Sequence, residues 1–457
     1  MYDPVQGEGT QPSMPKRRRP SSSHCQDFLA DGVPEVHQRL LEHVLANNAR
    51  LSKVKIARLP HGIGIVASEQ VKKNEEITFI PKSLLVNLHD IPFPNSSPID
   101  HPTKVHSSLA AYIASQFHKS DNNDPFISIF PSFSSFKSSM PLFWSDEVLD
   151  NCSPWVRSFA IKQQAKLKDD YAHAVKMHGE RGVEFSKEEF EWAWAAVNTR
   201  TIYYRPKKWY KVPAEDCMTM CPFIDYYNHD AKGDDSCTVS FSIDGLRVTT
   251  QKEYAVGEEI FVTYGDYNND HLLVEYGFTL PNNQADNFNI DHWVLQKLSS
   301  RHQEILKEIS FHGYAFTFSQ TVMYSGSDLM ISVDGDSEYL LDENEVCYRT
   351  MMALRLAVIS ENLLGKGKRY QDFMKLVEGG IEEDDYVKLY EKDENKVGEL
   401  LEGILKSAEE FGEERTAALG RMLEEKEFLD QKESIESAVE RWRQCMDIIA
   451  KYRAKNE

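Results

Sequence analysis

The stretch "VKIARLPHGIGIVASEQVKKNEEITFIP", residues 54–81, limits the fold more than any other in the chain. "VKIARL" alternates apolar and polar residues, "GIGIVA" continues extended, and "ITFIP" follows the charged turn "KKNEE". Such alternation marks strands. Gly62 to Ala67 also fits the spacing GxGxxA, the form a dinucleotide phosphate loop takes when alanine comes last. That loop must open a helix and be answered about 20 residues later by an acidic residue ending the next strand. "SEQVKKNEE" is too short and too charged to bury a helix face, and "ITFIP" runs into Lys82 with no carboxylate in place. The segment predicts a small antiparallel sheet, not a βαβ unit. Its glycines then serve a tight turn, a close approach to a ligand or the meeting of two strands.

The rest of the 457 residues suggests about two or three structural units. From about Leu88 to Val183 the pattern is polar and helical, with turn-rich "DIPFPNSSPIDHP" first and "SLAAYIASQF" as a helix. "SKEEFEWAWAAVNTRTIYY" is the clearest helix: Ser186 and Glu189 form a capping box, and Phe190, Ala193, Trp194 and Val197 share one face. Arg200 follows on that buried side and needs a partner or an anionic ligand. After Pro206, "TVSFSI", "LRVTT" and "EIFVTY" predict strands, with Asp244-Gly245 as the hairpin turn between the first two. Beyond Pro281 the chain reads as helical. Asp342 and Glu345 offer a second capping box, and Ile435, Val439, Trp442, Met446 and Ile449 form one stripe of a final helix. The expected class is α+β: a β-rich part with a helical insertion, then an all-α part. The acidic runs at 382–385 and 424–427 read as solvated helix faces, or as a surface for a basic partner.

No run of about 18 apolar residues can span a membrane, and no apolar signal segment follows Met1, so a soluble intracellular protein with no membrane partner is expected. Seven cysteines at scattered positions suit free thiols in a reducing compartment. Cys217, Cys221, His229 and Cys237 fit no common zinc spacing, which favours packed thiols and no metal. The formal net charge of −20 disfavours direct nucleic-acid binding and favours basic partners. Against it stands the basic island "PKRRRP", residues 15–20, in a Pro/Ser/Gly/Gln-rich tail expected to be disordered over 1–34. The island reads equally as a nuclear-import signal or a solvated charge cluster, so nucleus and cytoplasm are both expected locations.

The chemistry concentrates in "CPFIDYYNHD", residues 221–230, and "GEEIFVTYGDYNNDHLLVEYGF", residues 257–278. Asp, Asn and His in an aromatic stretch suit metal ligands, a hydrolase cluster or polar groups fixing a small ligand. His271 and His292 lie in no evident metal pattern with His229. With "HGIGIVASEQVKKNEEITFIPKSLLV", "PSFSSFKSSMPLFWSDEVLD" and "NTRTIYY", these motifs resemble, in order, the SET-domain lysine methyltransferases of the Rubisco-methyltransferase-like class. The resemblance covers most of residues 51–281. It implies a knotted, β-rich SET domain over 35–281 with a helical insertion at about 89–205, then an α-helical substrate-binding domain over 282–457.

The resemblance also implies S-adenosylmethionine, its amino-acid end close to the backbone of Gly62, Ile63 and Gly64, with contacts from Arg200, Asp225, Asn228 and His229. Arg200 can meet a carboxylate bidentately, and Asn228 and His229 offer donors and acceptors for an adenine edge. Tyr276 and Phe278 are candidates for contacts with the ring, or ordinary core aromatics. Tyr264 matches the family's catalytic tyrosine, and the resemblance places it among the cofactor-binding residues as well. Methyl transfer to an amine needs a neutral nucleophile held about 3–3.5 Å from the methyl carbon, and a dry, cationic channel lowers the lysine pKa from about 10.4. Tyr264 would orient that amine. Two departures stand out: many relatives carry an acidic residue just before the glycine pair where this chain has His61, and the cysteine cluster of histone-modifying SET enzymes is absent after Phe278, as expected for this class, which needs no zinc. The expected activity is protein-lysine N-methylation by a monomer, on a lysine in a basic context such as a ribosomal protein or a histone. Protein-histidine methylation and a non-catalytic scaffold for a basic client are the alternatives.

Overall fold

The computed structural model describes residues 26–88, 91, 104–120, 124–179, 183–204, 217–231, 235–309 and 339–456. The basic island and nearly all of "DIPFPNSSPIDHP" lie outside them. Arg50–Leu51 (β1), Val54–Leu59 (β2), Gly62–Ala67 (β3) and Glu76–Pro81 (β4) are the first strands, followed by Val86–Asn87 (β5). Later come Thr201–Tyr203 (β6), Met218–Met220 (β7), Thr238–Ser242 (β8) and Gly245–Thr249 (β9). They form three antiparallel sheets, ordered β1-β4-β9-β8, β5-β7-β6 and β2-β3. In the β2-β3 hairpin Leu59 faces Gly62 and Val54 faces Ala67, so Val54, Ile56, Ile65 and Ala67 all enter the core.

Order begins before residue 35. Leu29, inside the stretch expected as tail, bridges Ile56, and the Ala30 N–H donates to the Ile56 carbonyl, because the exposed side of β2 offers unpaired backbone groups there.

The helical insertion includes Val105–Ser120, Pro154–Gly179 and Lys187–Arg200. The last has the expected capping box: the Ser186 hydroxyl accepts from the Glu189 N–H, and the Glu189 carboxylate accepts from the Ser186 N–H. Phe190, Ala193, Trp194 and Val197 are fully buried. Not all of the insertion serves one core. Trp144, Val148, Leu149 and Val156 pack with the C-terminal half, against residues such as Phe288 and Trp442. The final helix, Lys432–Asn456, buries Ile435, Trp442 and Ile449, with Val439 and Met446 packed alongside. The runs at 382–385 and 424–427 are exposed, although Glu383 also reaches Arg355.

Three local readings need correction. The β8-β9 turn is Ile243-Asp244, since Ser242 pairs with Gly245, which is already the first residue of β9. Asp342 caps no helix: its carboxylate accepts from the N–H groups of Asn344 and Glu345 in a turn closed by the Leu341–Val346 bridge, and the next helix is Tyr348–Ala357. "EIFVTY" is no regular strand. It makes single bridges, Glu259 to Val66 and Val262 to both His229 and Cys237, because it crosses other segments instead of running beside one. The helical C-terminal half also contains one two-stranded sheet, Phe288–Asn289 with Leu340–Leu341.

Candidate active site

The crossing of residues 259–264 over residues 228–230 builds the site. The Val262 N–H donates to the Asn228 carbonyl and the Asp230 N–H to the Val262 carbonyl, a parallel pairing between segments about thirty residues apart. It brings "YNHD" beside "VTYGD".

His229 is oriented by that crossing. The Tyr264 N–H donates to His229 Nδ1 at 3.1 Å, so the neutral imidazole carries its proton on Nε2. Burial lowers the His229 pKa and keeps the ring neutral. Nε2 is itself buried, with no hydrogen-bond partner. The ring stacks on Tyr264 at 5.0 Å between centroids. Tyr264 in turn lies 5.1 Å from Tyr276, which lies 6.2 Å from Phe278, so the two candidate aromatics stand on one wall with the tyrosine. All three are half-buried, unlike the enclosed Tyr227 and Phe223. The Tyr264 hydroxyl donates to the Tyr227 carbonyl at 3.0 Å, and burial pushes its pKa up to about 12.

Arg200, the last residue of its helix, bonds Asp225 through Nη1 at 2.8 Å. Burial pushes the Asp225 carboxyl above its usual range, against the pull of Arg200. Each partner keeps an unused buried atom, Nε on Arg200 and Oδ1 on Asp225. Asp225 sits in the single turn Ile224–Tyr226 behind Phe223, which has φ of +79°. A buried phenylalanine held there stores about 1–3 kcal/mol of strain, and such strain gathers at functional sites. Asn198 ties the frame together: its amide donates to both the side chain and the carbonyl of Glu275, linking the helix that carries Arg200 to the one that ends in Tyr276.

Gly64 explains the glycine pair. A Cβ there would lie 2.7 Å from Asn228 Nδ2 and 2.8 Å from Glu259 Oε1. The Asn228 amide donates to Glu259 Oε1 at 2.8 Å and to the Ile63 carbonyl at 3.3 Å. His61 reaches the same carboxylate at 3.1 Å. Gly64→Ala should therefore lower the unfolding free energy by about 1–3 kcal/mol, read as a lower urea midpoint with unchanged slope. An unchanged midpoint would show that the pocket yields freely.

Glu259 was not among the residues expected at the site. The nearby thiols of Cys217, Cys221 and Cys237 are buried in the core, and among the described residues no group of three or more His, Cys, Asp or Glu is placed to hold a metal ion.

Residues 62–265 match the family model described as SET domain. The chain is 29% identical over 160 residues to the ribosomal lysine N-methyltransferase set11 of Schizosaccharomyces pombe, a match covering 35% of this chain and 38% of that protein. It is 23% identical to the human SET domain-containing protein 4, covering 64% of this chain and 70% of that one. A structure of Rubisco LSMT bound to AdoMet superposes over 93% of both chains with a TM-score of 0.56 at 14% identity.

Proposed function

We propose that this chain, whose residues 62–265 match the SET domain model and whose fold superposes on Rubisco LSMT, is an S-adenosylmethionine-dependent protein-lysine N-methyltransferase. The observation that carries the reading is the set of unused buried polar atoms, Arg200 Nε and Asp225 Oδ1 on the ion pair and Nε2 on the His229 ring that stacks on Tyr264. Buried donors and acceptors without partners are costly, so such a set belongs with a polar ligand. S-adenosylmethionine fits it: Arg200 would hold its carboxylate, the Gly62–Gly64 backbone its amino-acid end, and His229 Nε2–H with Tyr276 and Phe278 its adenine.

The bound donor would supply an electrophilic methyl on a sulfonium. The chain's task is then to present a neutral amine in line and keep water out. Tyr264, with its pKa near 12, remains protonated at working pH and is no general base. With its proton on the Tyr227 carbonyl, its oxygen lone pairs remain to accept an N–H from the lysine and fix its direction. The half-buried aromatic wall of Tyr264, Tyr276 and Phe278 disfavours the ammonium form of that lysine.

The net charge of −20 supports a substrate lysine in a basic context, and the printed name of the fission-yeast relative supports a ribosomal protein as the first candidate, with histones second. A SET domain over 35–281 and a substrate-binding domain over 282–457, in a monomer of the nucleus or cytoplasm, complete the reading. Calorimetry with S-adenosylhomocysteine tests it. One site per chain is expected, weakened about 10- to 100-fold by Arg200→Ala, the loss of a charged hydrogen-bonding partner. No binding to the unaltered protein would favour the scaffold alternative.

A further inference from the structure

We infer that Glu259 is the anionic partner of the methyl donor's α-ammonium group and that His61 covers it from the solvent side; this rests on the methyltransferase reading above. An amino-acid end brings one carboxylate and one ammonium into the site, so the protein must offer a cation and an anion. Arg200 is the cation. Two carboxylates stand nearby. Asp225 is already joined to Arg200 at 2.8 Å, whereas among the described residues the one basic side chain within ion-pair distance of Glu259 is the imidazole of His61. The Glu259 side chain is only 13% exposed. A carboxylate so withdrawn from water, without an Arg or Lys, calls for a cation.

Its placement suits that role. The Glu259 backbone is fixed by its bridge to Val66 on β3, and Oε1 is held by the Asn228 amide, which also bonds the Ile63 carbonyl. A methyl group at Gly64 would meet Oε1 at 2.8 Å, so the carboxylate lies directly over the backbone of the glycine pair. The neighbouring Glu258 differs: it accepts from the Ala255 N–H and pairs with Lys252 at 3.1 Å. His61 is more than half exposed and forms the outer side of the Glu259 contact.

The test is calorimetry of the full chain with two probes, S-adenosylhomocysteine and 5′-methylthioadenosine, which lacks the amino-acid end. Glu259→Gln keeps the shape and the acceptor for Asn228 but removes the charge. It should weaken S-adenosylhomocysteine binding about 10- to 100-fold and leave methylthioadenosine binding unchanged. Adding His61→Glu to that variant returns a carboxylate to the other side of the same contact and should recover much of the loss. Equal affinity of Glu259→Gln for S-adenosylhomocysteine would overturn the assignment, as would equal weakening of both probes, which marks a merely structural role. Failure of the unaltered chain to bind S-adenosylhomocysteine would instead remove the methyltransferase reading itself.

Discussion

Replacing Tyr264 by phenylalanine should lower methyl transfer by about 100-fold or more while leaving cofactor affinity within about threefold, because the lost hydroxyl directs the amine without forming the cofactor pocket. The ring stays: its stacking on His229 at 5.0 Å and its place beside Tyr276 need no hydroxyl. The backbone N–H that fixes the His229 tautomer is untouched. What disappears is the oxygen held at 3.0 Å from the Tyr227 carbonyl, worth about 1 kcal/mol to stability. Turnover and cofactor binding should thus separate. A variant that loses both equally would place Tyr264 among the binding residues.

The second large effect is predicted far from the chemistry. Arg441, 2% exposed on the final helix, bonds Asp270 through Nε at 2.7 Å, Asp286 through Nη1 at 2.8 Å and the Asn287 carbonyl through Nη2 at 2.9 Å. Asp270 is fully buried near the start of the helix Asn269–Tyr276, whose last residue stands on the aromatic wall. Burial raises the Asp270 pKa against the pull of Arg441. Arg441→Ala would strand that carboxylate without a counter-charge, at a cost of about 3–5 kcal/mol read from urea unfolding. Arg441→Ala with Asp270→Asn removes the stranded charge and should recover part of the loss. A cost below about 1 kcal/mol for the single variant would mean that water reaches Asp270.

These two sites show how unevenly the sequence reveals its structure. The β2-β3 hairpin was legible because one face is buried, and burial imposes alternation. The helix Lys187–Arg200 was legible from a cap that acts within four residues. "EIFVTY" misled, since its β-branched and aromatic residues suit any half-buried extended segment, and only its partners decide whether it is a strand. Asp342 misled similarly: a carboxylate accepting backbone N–H groups two and three residues on serves a turn as readily as a helix start. Of the site residues, Arg200, Asp225, His229, Tyr264, Tyr276 and Phe278 are gathered by the fold around one crossing, while the Asn228 amide turns to the glycine pair. Glu259 could not be told from Glu258 by local pattern, since its partners lie 31 and 198 residues away. His61 looked like the loss of an acidic group; the structure instead puts a carboxylate 3.1 Å from it.

The reaction proposed for this chain is methyl transfer to lysine. Incubating the purified chain with S-adenosylmethionine labelled in its methyl group and a cell extract, then hydrolysing the labelled protein band in acid, tests it most directly. Label is expected in methyl-lysine and should fall by about 100-fold or more with Tyr264→Phe. Label confined to methyl-histidine, or no label beyond that given by Tyr264→Phe, would contradict it.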